Sequence, residues 1–349
     1  MAPRGPPDTT WEGVTLSAPS KATYVRRKRF FGADAKVATL YLLPAFLVMT
    51  VITFFPLLYQ VYMSFTDFQI QNLRAGSPAP AWVWFGNYIK ILTNDIAGIP
   101  NYDFFRILAF NLFWAFSNVI IHVCLGVAIA ILLNQKGLIG RKVYRAIFVL
   151  PVVIPPIIVA TVWHNMFDTN NGAINYLLAI ITRVPPGGVQ IAWLTDPGNP
   201  IPFFPLLPLS YFALLTANVW LGWPLNAVVA TGALQSVPQE LYEAVEIDGG
   251  GPWTKFRVVT LTFLRPAMLP YAIYGFVITF NLFYLSYFMS AGGPFGRTEL
   301  LVTEAYHLVN DLHLYGVAAA FSVIMFLILL VLTLITNRLT KATASYVDR

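Results

Sequence analysis

The residues best suited to act on something else fall between Val237 and Pro266. Three acids at helical spacing, Glu240, Glu243 and Glu246, precede Asp248 and the run Gly249-Gly250-Gly251-Pro252. Pro238 suits the start of a helix, and Gln239 and Glu240 suit its positive first turn. The glycines and Pro252 end it. Trp253 to Leu261 then predicts a second short helix. Leu241, Ala244 and Ile247 share one face and the acids another, so the chemistry is recognition: a small two-sided elbow that fits a groove in a partner protein. An interfacial helix lying on anionic lipid would carry basic residues instead.

Catalytic patterns are missing from the sequence. It has no GxxxxGK[ST] loop for nucleotide phosphates; the nearest cluster, Gly137-Leu-Ile-Gly140-Arg-Lys, lacks the spacing. There is no HExxH, no GxSxG and no paired carboxylates near an apolar run. The single cysteine, Cys124, rules out a disulfide scaffold or a cysteine metal cluster. The sequence therefore offers no catalytic or metal residues and no ATPase site of its own.

The elements that must position the elbow are apolar. Of 349 residues 57% are hydrophobic and 11% charged, with mean hydropathy +0.64. A soluble domain is about 25% charged, so this is a polytopic membrane protein. A membrane helix needs about 20 apolar residues. Six stretches qualify: Val37–Phe65, Ile107–Leu133, Ala146–Phe167 (interrupted by Pro151, Pro155 and Pro156), roughly Leu206–Leu234, Ala267–Ala291 and Tyr315–Thr336. The expected fold is an all-α membrane protein of six transmembrane helices, with the helix pair between the fourth and fifth. Residues 1–36 read as a cytoplasmic tail without a cleaved signal peptide, with Met1–Ser20 disordered and the first span an uncleaved anchor. The domain proper is 37–340, with the loop 237–265 inside it and a cytoplasmic tail over 341–349.

Seventeen of the 22 basic residues fall on one side of these spans, leaving Arg74, Lys90, Arg106, Arg183 and Arg297 on the other. The positive-inside rule then puts both termini and the elbow in the cytoplasm. It also accounts for the net charge of +6 without nucleic acid, and assigns the basic run Val25–Phe30 to anionic lipid. Trp82, Trp84 and Trp193 in the long outer loops suit interfacial anchoring or an external partner. No Asp, Glu, Lys or Arg lies inside the six stretches as drawn, which argues against a proton relay. His122 and His164 are the exceptions, each read as a histidine bonded to a neighbouring helix.

Glu243-Ala-Val-Glu-Ile-Asp-Gly-Gly, with Val259 and Leu261 beyond it, resembles the EAA loop of ABC-importer permeases. Val245 stands where that family has a second Ala, and Thr262 where it has Pro, so a softer turn out of the second helix is expected. Leu43-Pro44, Phe55-Pro56-Leu57-Leu58-Tyr59, Gly86-Asn87-Tyr88, Tyr144-Arg145, Asn218-Val-Trp and Gly292-Gly-Pro294 extend the likeness over about residues 38–340, on the maltose-type sugar-permease side.

The resemblance implies a bacterial or archaeal cell (inner) membrane permease working beside a second permease, two ATPase subunits that bind ATP and Mg, and an extracytoplasmic sugar-binding protein. It implies coupling to the ATPase through Leu241, Glu243, Ala244, Asp248, Gly249 and Trp253; Asp248, next to the glycines, is expected to cap or brace the turn itself. A sugar site needs hydrogen-bonding amides and aromatic faces. Asn218, Trp220, Gly222 and Trp223 on the fourth span offer them, with Gly222 and Pro224 expected to break the helix. Thr279, Asn281 and Tyr284 on the fifth add to them. The third span offers only apolar Val152 and Pro156 there. A permease for another neutral solute or for glycerol phosphate, or a secondary transporter or channel, is the alternative.

Overall fold

The computed structural model describes residues 33–96, 98–99, 102–135, 137–185, 187–198 and 207–340. The tail Met1–Ser20, the basic run Val25–Phe30 and the C-terminal tail 341–349 lie outside the described residues, as does Lys136. The described residues are helical, with one isolated antiparallel bridge, Thr66 to Trp82, and no strand. Two compact units divide the chain, residues 1–56 and 57–349.

In the first unit α1 (Ala33–Met49) passes into a π-helical turn, Thr50–Phe54. The Thr50 hydroxyl donates to the Phe46 carbonyl at 2.8 Å, and the Phe46 and Phe54 rings lie 6.4 Å apart. α2 (Phe55–Ser64) lies mostly in the second unit, and Val37–Ser64 is the first candidate span by length and composition.

The second unit continues with α3 (Gly86–Leu92), α4 (Phe104–Leu133), α5 (Arg141–Val153), α6 (Pro156–Met166) and α7 (Ala173–Thr182). Then come α8 (Leu209–Gln235), α9 (Gln239–Ile247), α10 (Pro252–Lys255), α11 (Leu261–Phe280), α12 (Phe283–Ser290), α13 (Leu301–Asn310) and α14 (Tyr315–Thr340). Five helical stretches among the described residues are long and apolar enough to cross a membrane, and a sixth exists if α5 and α6 count as one span. They do not form one straight helix: the axis bends 95° between Val153 and Pro156, because Pro155 and Pro156 remove two amide donors in a row.

α4 and α8 form the centre. α4 starts on Asp103, whose carboxylate accepts the Arg106 amide at 3.1 Å. Gly126, Ala130, Ala227 and Ala230 are small enough for the two backbones to approach closely. A side chain at Gly126 would stand 2.9 Å from the Ala227 amide nitrogen. One apolar cluster joins α4, α13 and α14 around Phe104, Leu301 and Phe321. A second joins α4, α6, α8 and α12 around Trp114, Ala160, Leu214 and Leu285.

Two further sequence expectations change here. α8 runs unbroken through Gly222 and Pro224, and the Asn226 side-chain amide donates to the Gly222 carbonyl at 3.0 Å beside the missing proline donor. The expected second elbow helix is not separate. α10, a π-helical turn (Phe256–Thr260) and α11 follow without interruption, and the whole stretch Pro252–Ser290 counts as one candidate span. Thr262 turns nothing; its hydroxyl bonds the Val258 carbonyl at 2.7 Å within the helix.

Candidate coupling and pathway site

α9 has no buried residue. Its inward side is Tyr242 and Val245, both half-buried, and the Tyr242 hydroxyl pairs with the Thr260 hydroxyl at 3.0 Å. Lys255 donates to Glu246 at 2.6 Å, tying α10 back to α9. That charge-assisted bond holds the Glu246 carboxyl below its ordinary range. The turn between them is backbone-made. Gly249 has φ of +77°, which favours glycine, and the Gly250 amide reaches the Val245 carbonyl at 2.8 Å. A side chain at Gly250 would stand 2.8 Å from that same carbonyl.

Asp248 is the last-turn cap residue by backbone, and it is exposed. The bracing expected of its carboxylate is supplied instead by Gly249, Gly250 and the Glu246–Lys255 pair. Glu243 and Ala244 are exposed, and Leu241, Ile247 and Trp253 are 38%, 86% and 71% exposed. Three large apolar side chains thus stand open beside the acids, the reverse of what water alone would select.

The seven pathway residues separate into distinct surroundings. Asn218 is buried and its amide donates to the Asn118 side-chain oxygen at 2.7 Å, while its own carbonyl pairs with His122 Nε2 at 3.0 Å. Gly222, one turn on, lies directly under the His122 ring, where any Cβ would overlap the imidazole. Both face α4, Asn218 through these hydrogen bonds and Gly222 through a close approach. Trp220 and Trp223 take another face, edge-on to Trp163 of α6 at 6.3 Å and to Phe148 of α5 at 5.1 Å. Thr279 is buried. Asn281 and Tyr284 are exposed where α11 gives way to α12. His164 pairs with the Met289 carbonyl at 2.7 Å, so both histidines bond a neighbouring helix as expected.

The break at Asn281 and Leu282 was not anticipated, and Asn111 manages it. Its amide donates to the Phe280 carbonyl at 3.2 Å and its oxygen accepts the Leu301 amide at 2.8 Å. Asn111, Asn118, His122 and Gly126 are spaced seven, four and four residues apart. Amides recurring on one face of an apolar helix were a readable sign of an interhelical seam.

An acid pair was missed as well. Glu299 and Glu304 are 7% and 4% exposed. They line a cavity of about 250 Å³ with Tyr102, Arg106, His307 and Asp311. Burial first, and then the Glu299 charge, push the Glu304 carboxyl up to about 7; burial also raises Glu299.

Helices broken at proline and at Asn281, buried amides between apolar helices and a protruding elbow define a multi-pass membrane protein of the transporter class. Residues 122–345 match the family described as the inner membrane component of binding-protein-dependent transport systems, and the chain belongs to that family. It is 30% identical to the galactooligosaccharides transport system permease protein GanP of Bacillus subtilis, over 86% of this chain and 69% of that one. It is 30% identical to the maltodextrin permease MalC of Streptococcus pneumoniae over 85% and 67%. The trehalose/maltose permease MalF of Thermococcus litoralis is 29% identical over 86% and 92%. The fold is shared with a chain of a bacterial alginate ABC transporter crystallised with its pentasaccharide-bound periplasmic protein. The TM-score is 0.69 at 18% identity, covering 88% of this chain and 94% of that one.

Proposed function

We propose that this chain is one permease subunit of an ATP-driven importer for sugars of the di- or oligosaccharide class. The observation that carries the coupling half is the α9–α10 elbow. Two short helices with no buried residue, presenting Leu241 and Ile247 from α9 and Trp253 from α10 beside Glu243, have a surface suited to a second protein. Glu243 supplies a charge-assisted bond to a basic residue of an ATPase cleft, and the apolar trio fills the groove. Because α10 is continuous with α11, movement of the elbow is transmitted as a rigid body to the fifth span.

The basic residues put the elbow and both termini on the cytoplasmic side, and an extracytoplasmic binding protein delivers the solute opposite. ATP and Mg belong to the ATPase partner. The relatives handle galactooligosaccharides and maltodextrins. Neutral polyhydroxylated solutes suit a pathway that carries aromatic and amide groups, here Trp220, Trp223, Asn281 and Tyr284. Asn218, Gly222 and Thr279 hold that pathway's walls together.

The test is ATP hydrolysis by the reconstituted complex with its binding protein, across maltodextrins, galactooligosaccharides, trehalose, alginate oligosaccharides and glycerol phosphate. Stimulation by a neutral sugar supports the reading. Stimulation by glycerol phosphate alone overturns it.

A further inference from the structure

α5 is divided along its length. Arg141, Lys142 and Arg145 lie in its first five residues, and Ala146 to Val153 carry no charge or polar side chain. It meets the last three turns of α8 across a cavity of about 380 Å³. Leu133, Phe148, Val149, Pro224, Ala227 and Val228 supply apolar walls, while Arg145, Thr231 and Gln235 mark the polar end. Arg145 is half-buried, and its Nε is buried without a hydrogen-bond partner among the described residues. Arg141 donates to the Gln135 carbonyl at the end of α4, which fixes a second cation nearby. Gly232 leaves the groove open, since a Cβ there would meet nothing within 4 Å.

A guanidinium lacking an acceptor wants an anion with oxygen atoms. A groove that is basic at one end and apolar along its length matches a molecule with that same division. In a membrane protein the abundant molecule of that kind is an anionic phospholipid, and basic pockets between membrane helices are where such headgroups are held. Val149 and Val228 of the lining are 36% and 51% exposed, an open apolar surface along which an acyl chain would lie. We propose that the α5–α8 groove is a binding site for one anionic phospholipid, with the phosphate on Arg145 and an acyl chain along Phe148, Ala227 and Val228. This inference needs the chain to be a membrane protein and is independent of the solute it carries.

The test uses the intact transporter complex in phosphatidylcholine nanodiscs containing a minority of phosphatidylglycerol. Lipid that survives extraction is counted by native mass spectrometry. Wild type should keep phosphatidylglycerol in preference to phosphatidylcholine. Arg145→Gln should lower that preference about fivefold, the share of one cation near a lipid surface. Gly232→Leu should lower it comparably by filling the groove while Arg145 stays, and it decides alone if the arginine variant does not accumulate. Equal retention of the two lipids by wild type, or unchanged preference in Gly232→Leu, overturns the proposal. So does displacement of the lipid by inorganic phosphate, which would mark a site for a soluble anion.

Discussion

The α4–α8 interface and the α9–α10 elbow spend their polar residues in opposite ways. Between α4 and α8, Asn118, His122, Asn218 and Asn226 are all buried, and each finds a partner within the helix pair. On the elbow Glu243 and Asp248 are exposed, while Ile247 and Trp253, the residues that burial would favour, face outward. In the seam, amides hold two helices at fixed spacing in surroundings without water, where an unpaired amide is costly. On the elbow the proposed partner is another protein. One region is satisfied within the chain, and the other is proposed as half of an interface.

The largest effect expected from breaking that contrast is at Gly222. Leucine there collides with the His122 ring and should cost about 3 kcal/mol by overpacking, lowering the yield of monodisperse protein sharply. Gly232→Leu on the same helix faces open space and should leave thermal stability within about 0.5 kcal/mol. Equal losses at both positions would remove the close approach as the reason for glycine.

Next comes Glu304, a buried acid outside the seam. Its carboxyl is raised from 4.5 to about 7, by burial and then by Glu299, against the opposing charges of His307 and Arg106. The protonated form is favoured, so this contribution to stability is full below pH 4.5 and is lost as the pH climbs through about 7. Glu304→Gln should flatten that dependence and raise stability near pH 8 by at most about 3 kcal/mol. Thermal unfolding of both proteins across this range checks it; parallel curves would contradict it.

Asn218→Ala should cost about 1–3 kcal/mol by stranding the Asn118 oxygen, with the apparent affinity for sugar unchanged. Weaker uptake affinity at unchanged melting temperature would return Asn218 to the solute pathway. The smallest effect is expected at Lys255. Its partner Glu246 is 71% exposed, so Lys255→Ala should not measurably change the melting of the spans, while leaving the elbow more acidic and making ATPase association more sensitive to salt.

The helical class, the apolar stretches and the elbow were legible because hydropathy and the glycine run act locally. The six apolar stretches mark where helices lie but not where they bend. Pro155-Pro156 gives a 95° break because two donors vanish together, whereas Pro224 leaves α8 unbroken next to a side-chain bond from Asn226. Asn218 and Gly222 were read as pathway groups because a polar residue in an apolar helix looks the same in sequence whether it faces a solute or another helix. The contacts with His122 and Asn118 on α4 are what the structure adds. The break at Asn281 depends on Asn111, 170 positions earlier, and no local pattern carries that.

The central claim, that the elbow is an incomplete interface and the seam a complete one, is tested most directly by a double variant, Ile247→Asp with Trp253→Ala. Capture of the ATPase subunit and melting of the purified permease are measured on the same preparation. The account predicts that ATPase capture is lost while the melting temperature stays that of wild type. Full capture with wild-type melting would show that the exposed apolar face docks nothing, and a lowered melting temperature would show that it belongs to the fold.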